Sequence, residues 1–305
     1  MKEMLICSDL YEGSDNNLKS GYSFASSLGL KPKIYHIDTM TPQLNKQFHP
    51  LTVKPRYIKD PIWNKDIEAT VLDMANKALA RVGIEKEKVD FENFEGTINE
   101  GIEHLTEHVD LEMMAIGITH HGVFHRFFLN TFAEKSLFHV KKDVLVSKKA
   151  VENYSHLTYL IPYTPLDEDD LAKVIHIAKC NEAKVHMDCV VPINFVGYSL
   201  ELFSNEPYPR EILTSELSDL RSKAEKELQK AHKIMKDANI ECSYSLEMVL
   251  NEDAAKRVEE IVQKENSDLV IIKPQHYTFE HLSIGSVSLD IMKNVSSNLL
   301  LLKVE

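Results

Sequence analysis

Residues 129–148, LNTFAEKSLFHVKKDVLVSK, lie without a gap over residues 284–303, IGSVSLDIMKNVSSNLLLLK. Val140 meets Val295, Leu145 meets Leu300 and Lys148 meets Lys303, and each stretch reads as an amphipathic helix running into a short apolar strand. Few identities inside a shared pattern indicate duplication followed by divergence, with a repeat of about half the chain.

Working back from each copy, the rest of the two halves follows the same order. The first half reads as strand 3–9, helix 15–29, strand 31–38, a proline-containing stretch 41–61, helix 64–82, strand 89–96, helix 98–108, strand 112–118, a loop, a helix from about Thr131 and strand 143–148. The second half starts at strand 157–163 and replays it: helix 167–180, strand 183–191, a proline-bearing loop to Pro209, helix 211–238, strand 241–250, helix 253–265, strand 268–273, a loop, a helix and strand 298–304. Strands separated by helices imply parallel sheets covered on both faces, whose ligands sit beyond the carboxyl ends of the strands. The predicted fold is therefore α/β: two similar doubly wound five-stranded parallel-sheet domains, 1–149 and 156–305, joined by the polar KKAVENYSH of residues 148–156.

Composition narrows the function classes. Of 305 residues, 43% are hydrophobic and 27% charged, and no apolar run approaches the roughly 20 residues of a membrane helix. The N-terminal MKEMLICSDLYEG lacks the apolar region and small-residue cleavage site of an export signal. A net charge of −12 opposes nucleic acid and anionic lipid as partners, because both need clustered lysine and arginine. Cys7, Cys180, Cys189 and Cys242 show no C-x2-C pairing, which points to a reducing, cytoplasmic setting. The acidic run Asp167-Glu168-Asp169-Asp170 opens a helix, where carboxylates favour the positive end of the dipole, and it reads as a helix start rather than a cation site.

Each half resembles a universal stress protein domain over nearly its whole length, and the pair resembles the tandem members of that family. The family's marker is a phosphate loop, G-x2-G-x9-G-[S/T], between the fourth strand and the last helix. Aligned on EMMAIG, the first half places Gly117, His120, Asn130 and Thr131 on the motif positions; aligned on DLVIIK, the second places Lys273 and His276 on the first two, with Gly285-Ser286 intact at the end. A phosphate on a helix N-terminus is held by unpaired N–H groups, so glycine there lets the backbone approach and a hydroxyl adds a donor. The resemblance further implies that Asp9, after the first strand, and the main chain at His36 and Ile37 lie near the nucleoside, while Tyr163 and Thr164 stand near the matching place in the second half. It implies an adenine nucleotide, ATP with magnesium, as ligand, contacted by Asp9, His36, Ile37, Gly117, His120, Asn130 and Thr131 in one half and by Gly285, Ser286 and Ser288 in the other. It also implies that the halves pair through their last strands, with a homodimer as a further level of assembly.

Other constellations are weaker. His120, His121 and His125, with His104 and His108 at helical spacing, resemble a zinc set, but 14 histidines make chance clusters easy and no cysteine joins them, so no metal is expected. The aromatic stretch 194–209 and its counterpart ending at Trp63 read as packing around the connection after the second strand. No nucleophile elbow or Walker loop is present, and no catalytic residue is singled out. The leading reading is a stress-response module that binds a nucleotide or related small molecule and acts through partners. The alternatives are an interaction or chaperone-like scaffold with degenerate loops, and a slow nucleotide hydrolase.

Overall fold

A computed structural model describes residues 2–38, 61–106, 111–117, 140–162, 165–193, 210–250, 253–274 and 286–303, with residues 61–67, 106, 192–193, 210–216, 250 and 286–287 described as backbone alone. The chain divides into two compact units, Met1–Glu152 and Asn153–Lys303.

The first unit carries β1 (Glu3–Cys7), α1 (Asp15–Ser27), β2 (Lys31–Asp38), α2 (Pro61–Val82), β3 (Asp90–Glu95), α3 (Ile98–Thr106), β4 (Leu111–Gly117) and β5 (Asp143–Ser147). Its strands are parallel in the order β3-β2-β1-β4-β5. The second unit carries β6 (His156–Leu160), α4 (Glu168–Cys180), β7 (Lys184–Ile193), α5 (Arg210–Asp237), β8 (Cys242–Leu250), α6 (Ala254–Lys264), β9 (Leu269–Ile272), α7 (Ser286–Asn294) and β10 (Asn298–Leu301). Its parallel order, β8-β7-β6-β9-β10, is the same topology. The helix expected from about Thr131 lies outside the described residues, as do the aromatic connection 194–209 and most of its first-half counterpart.

Alternation along the strands explains why both faces are covered. In β2, Tyr35 and Ile37 point to α3: the Tyr35 hydroxyl donates to the Gly101 carbonyl at 3.0 Å, and a Cβ on Gly101 would meet Ile37 at 2.5 Å. On the other face, Ile6 of β1 and Ala115 of β4 press against Gly21 of α1, where a Cβ would meet them at 3.1 Å. In β7 and β8, Tyr244 packs edge-on against His232 of α5, while Glu247 on the opposite face pairs with Arg257 of α6. Leu145 and Leu300, matched in the sequence overlay, are both fully buried, and strand pairing places them at equivalent positions opposite Ala115 and Ile271.

Five helix-to-strand turns share one geometry. Gly29, Gly83, Glu182, Asn239 and Asn266 have φ of 65°, 73°, 49°, 60° and 51°. In each, the next N–H reaches back five residues along the chain, as in Leu30 N to Ala25 O and Ala183 N to Ala178 O, both 2.9 Å. These bonds satisfy the orphan carbonyls of the last helical turn. The first unit uses glycine at this left-handed position; the second uses asparagine twice and glutamate once, so its long glycine-free stretch still contains the turn.

Candidate functional site

The strand order places a topological switch point between β1 and β4 in the first unit and between β6 and β9 in the second. Chain direction diverges there, and a crevice opens beyond the carboxyl ends.

In the first unit the loop after β1 is tightly stitched. Ser14 Oγ donates to the Tyr11 carbonyl at 3.0 Å, so the 2.7 Å bond between Ser8 and Ser14 is donated by Ser8, whose oxygen also accepts Leu10 N–H at 3.0 Å. Leu10 is held at φ 65° and 2% exposed, an unusual conformation for a leucine that this network fixes. Arg81 of α2 donates to the Leu10 carbonyl at 3.0 Å and bidentately to Asp15 at 2.8 and 3.1 Å, and the hydrogen bonds to Asp15 raise its pKa above the ordinary value.

On this frame Asp9 is exposed. Its Oδ1 accepts Tyr11 N–H at 3.0 Å, and Oδ2 makes no hydrogen bond among the described residues. His36 Nδ1 lies 2.8 Å from the Ser8 carbonyl, which can only accept, so Nδ1 carries the proton and Nε2 of the neutral ring is an acceptor. Ile37 follows, half-buried against Gly101. Asp9, His36 and Ile37 thus lie together at the carboxyl ends of β1 and β2.

The floor of the crevice is a residue that sequence reasoning missed. Asn17, in the first turn of α1, is 1% exposed; its amide donates to Cys7 O at 2.7 Å and Ala115 O at 3.4 Å, tying the ends of β1 and β4 together. Its Oδ1 has no hydrogen-bond partner. Gly117 lies beside it, where a Cβ would stand 3.1 Å from the Asn17 Cβ. One described reason for glycine at 117 is therefore the close approach of α1, apart from any ligand.

His120, Asn130, Thr131 and Gly285 lie outside the described residues, as does the side chain of Ser286. Ser288 is 7% exposed in the first turn of α7. His121, His125 and His108 are also outside. His104 lies against Phe94 with ring centroids 5.0 Å apart and planes tilted by 35°, and it is 3.3 Å from the Tyr35 hydroxyl. Among the described residues no group of three or more His, Cys, Asp or Glu could hold a metal ion.

The second switch point is built differently. Leu160 and Ile161 N–H meet Asp188 as Cys7 and Ser8 N–H meet Tyr35, so Pro162 stands level with Asp9, one residue ahead of Tyr163 and Thr164. The same register sets Lys273 level with Gly117. Lys273 Nζ donates to Asp167 Oδ2 at 2.6 Å and lies 2.6 Å from Asp170 Oδ2, a contact that is ionic rather than an aligned hydrogen bond. Asp167 caps α4, accepting from the N–H groups of Asp169 and Asp170, and its bond to Lys273 holds its pKa below the ordinary value. Asp170 is 3% exposed, and burial pushes its pKa up despite the ammonium. Asp170 is the third residue past the Asp167 cap, as Asn17 is past Ser14. Laying the two first helices over each other would have exposed this exchange of Asn17 and Gly117 for Asp170 and Lys273.

A polar chain runs between β7 and β8, from buried Asp188 and His186 to half-buried Ser245 and exposed Ser243. Ser245 Oγ donates to Asp188 Oδ1 at 2.7 Å; it must then accept from His186 Nε2 at 2.9 Å, which leaves Nδ1 to accept from Ser243 Oγ at 2.9 Å. Burial lowers the His186 pKa, and it raises Asp188 from 3.8 to about 6.

No family model and no curated protein matches the chain. Solved structures do match it along its whole length. A universal stress protein from Archaeoglobus fulgidus DSM 4304 covers 99% of this chain and 96% of its own, with TM-score 0.59 and 15% identity. A functionally unknown protein from Pseudomonas aeruginosa PAO1 covers 99% and 92%, with TM-score 0.59 and 14% identity. A putative universal stress protein from Pseudomonas aeruginosa UCBPP-PA14 covers 99% and 93%, with the same TM-score and identity. The likeness is one of fold.

Proposed function

We propose that this chain, which has the fold of universal stress proteins, is a tandem stress-response module that binds an adenine nucleotide in its first unit and acts through partners rather than turnover. The observation that carries the reading is the pair of acceptors at the carboxyl ends of β1 and β2, the exposed Asp9 carboxylate on a loop fixed by Ser8, Ser14 and Arg81 and His36 Nε2 beside it, with His36 Nδ1 bonded to the Ser8 carbonyl. Ribose hydroxyls and the adenine amine are donors that such acceptors suit. Because the fold hosts more than one function, the residues and not the fold support this step.

In this reading Asp9, His36 and Ile37 hold the nucleoside, while Gly117, His120, Asn130 and Thr131 form the phosphate side, with magnesium accompanying ATP. Gly285, Ser286 and Ser288 keep the helix-entry chemistry in the second unit. Four free cysteines, two of them buried, support a reducing, cytoplasmic setting, and no described helix is long and apolar enough to cross a membrane.

Calorimetric titration with ATP and magnesium tests the reading. Binding at or below millimolar nucleotide is expected, weakened about tenfold in Asp9→Ala, the loss expected for one charge-assisted hydrogen bond. No heat at millimolar ATP refutes nucleotide binding, and phosphate release at catalytic rates refutes the non-enzymatic role.

A further inference from the structure

We infer that the Lys273 ammonium closes the crevice of the second unit from within, so that Lys273 and Asp170 decide which of the two units takes a nucleotide. The inference rests on the nucleotide reading above and adds to it a stoichiometry of one per chain.

The two switch points carry the same backbone and opposite chemistry. In the first, Gly117 contributes no side chain and Asn17 is neutral, so neither position puts bulk or a fixed charge into the crevice between β1 and β4. In the second, a four-carbon stem starts from the strand end where Gly117 would be, and its side chain is only 18% exposed. The stem fills the approach to the first turn of α4, and the ammonium engages two carboxylates at 2.6 Å.

The charge balance opposes a phosphate as well. One ammonium between Asp167 and Asp170 leaves a net charge of −1, and the ammonium is hydrogen-bonded to Asp167 and ion-paired with Asp170. A phosphate that drew Lys273 off Asp170 would leave a carboxylate that is 5% exposed buried and unpaired. A cation placed where the fold receives phosphate is thus already neutralised by its own helix. Level with Asp9, moreover, stands Pro162, which offers no side-chain acceptor and no N–H. The second unit has lost the nucleoside end and plugged the phosphate end.

The test exchanges the pair between units in the full chain. Titration of the unchanged protein with ATP and magnesium is expected to give one site per chain, and Asp170→Asn with Lys273→Gly, which restores the first unit's pair, is expected to give two. Two sites in the unchanged protein, or one site persisting in that variant, overturn the inference. A ligand-free arm separates it from the nucleotide reading. Acetylation by acetic anhydride, followed by mass spectrometry, is expected to modify Lys273 at least tenfold more slowly than exposed Lys293, and equal rates overturn the closed crevice. Protein that binds no ATP while Lys273 stays protected refutes the nucleotide reading and leaves the closure standing.

Discussion

Replacing Asp188 by asparagine is expected to remove a pH dependence of stability that the fold builds into the second unit. Asp188 is fully buried in β7; one oxygen accepts from Ser245 and the other has no hydrogen-bond partner. Desolvation dominates, and Glu247 adds to it, while Ser245 and Arg257 oppose, leaving a pKa of about 6 against an ordinary 3.8. The folded state therefore holds this proton more tightly than the unfolded chain does. The resulting stabilisation is fully present well below about pH 4 and is lost as pH rises through about 6. A shift of about two units at roughly 1.4 kcal/mol per unit gives about 3 kcal/mol across that window. Asparagine keeps the acceptor for Ser245 and does not titrate. His186, pushed down by burial and also subject to Glu265 and Lys264, is present in both proteins and cancels to first order. Urea unfolding at pH 4, 5, 6 and 7 should show the stability of the unchanged protein falling by about 2.4 kcal/mol relative to Asp188→Asn between pH 4 and 7, since part of the full change already lies below pH 4. A difference constant to within about 0.5 kcal/mol over that range refutes the reasoning, because it would mean that the carboxylate is solvated or paired as well in the folded state as in the unfolded one.

Three further outcomes follow from the packing. Glu182→Gly should raise stability by about 1 kcal/mol in urea unfolding, since glutamate at φ 49° pays a left-handed strain that glycine lacks. Gly101→Ala should destabilise by roughly 1–3 kcal/mol despite alanine's better helix propensity, because its Cβ would meet Ile37 at 2.5 Å; an unchanged melting temperature would show that α3 can back away from β2. Leu300→Ala should cost roughly 2–5 kcal/mol by emptying a fully buried position in β10, with the loss read in the same unfolding experiment.

Much of the fold was legible because periodicity is a local property. Strand 31–38 was read to the residue, and the helix across Asp167–Cys180 differs from the observed one only in that Asp167 is the cap. The five capped turns were not read, because only glycine announces a left-handed position and the second unit uses Glu182, Asn239 and Asn266 there. The placement of the candidate residues was legible where they follow directly from a strand, as at Asp9 and the end of β2. It was not legible where α1 and α4 fold back: Asn17 and Asp170 look like ordinary polar residues of a first helical turn.

The sequence by itself determined the repeated alternation of strand and helix, the parallel topology and the acidic composition, since these follow from residue spacing and composition. Only the tertiary structure decided that the two switch points differ in kind. Lys273 and Asp170 are separated by about a hundred residues, and an ammonium becomes a plug rather than a phosphate ligand only when strand register sets it against a buried carboxylate.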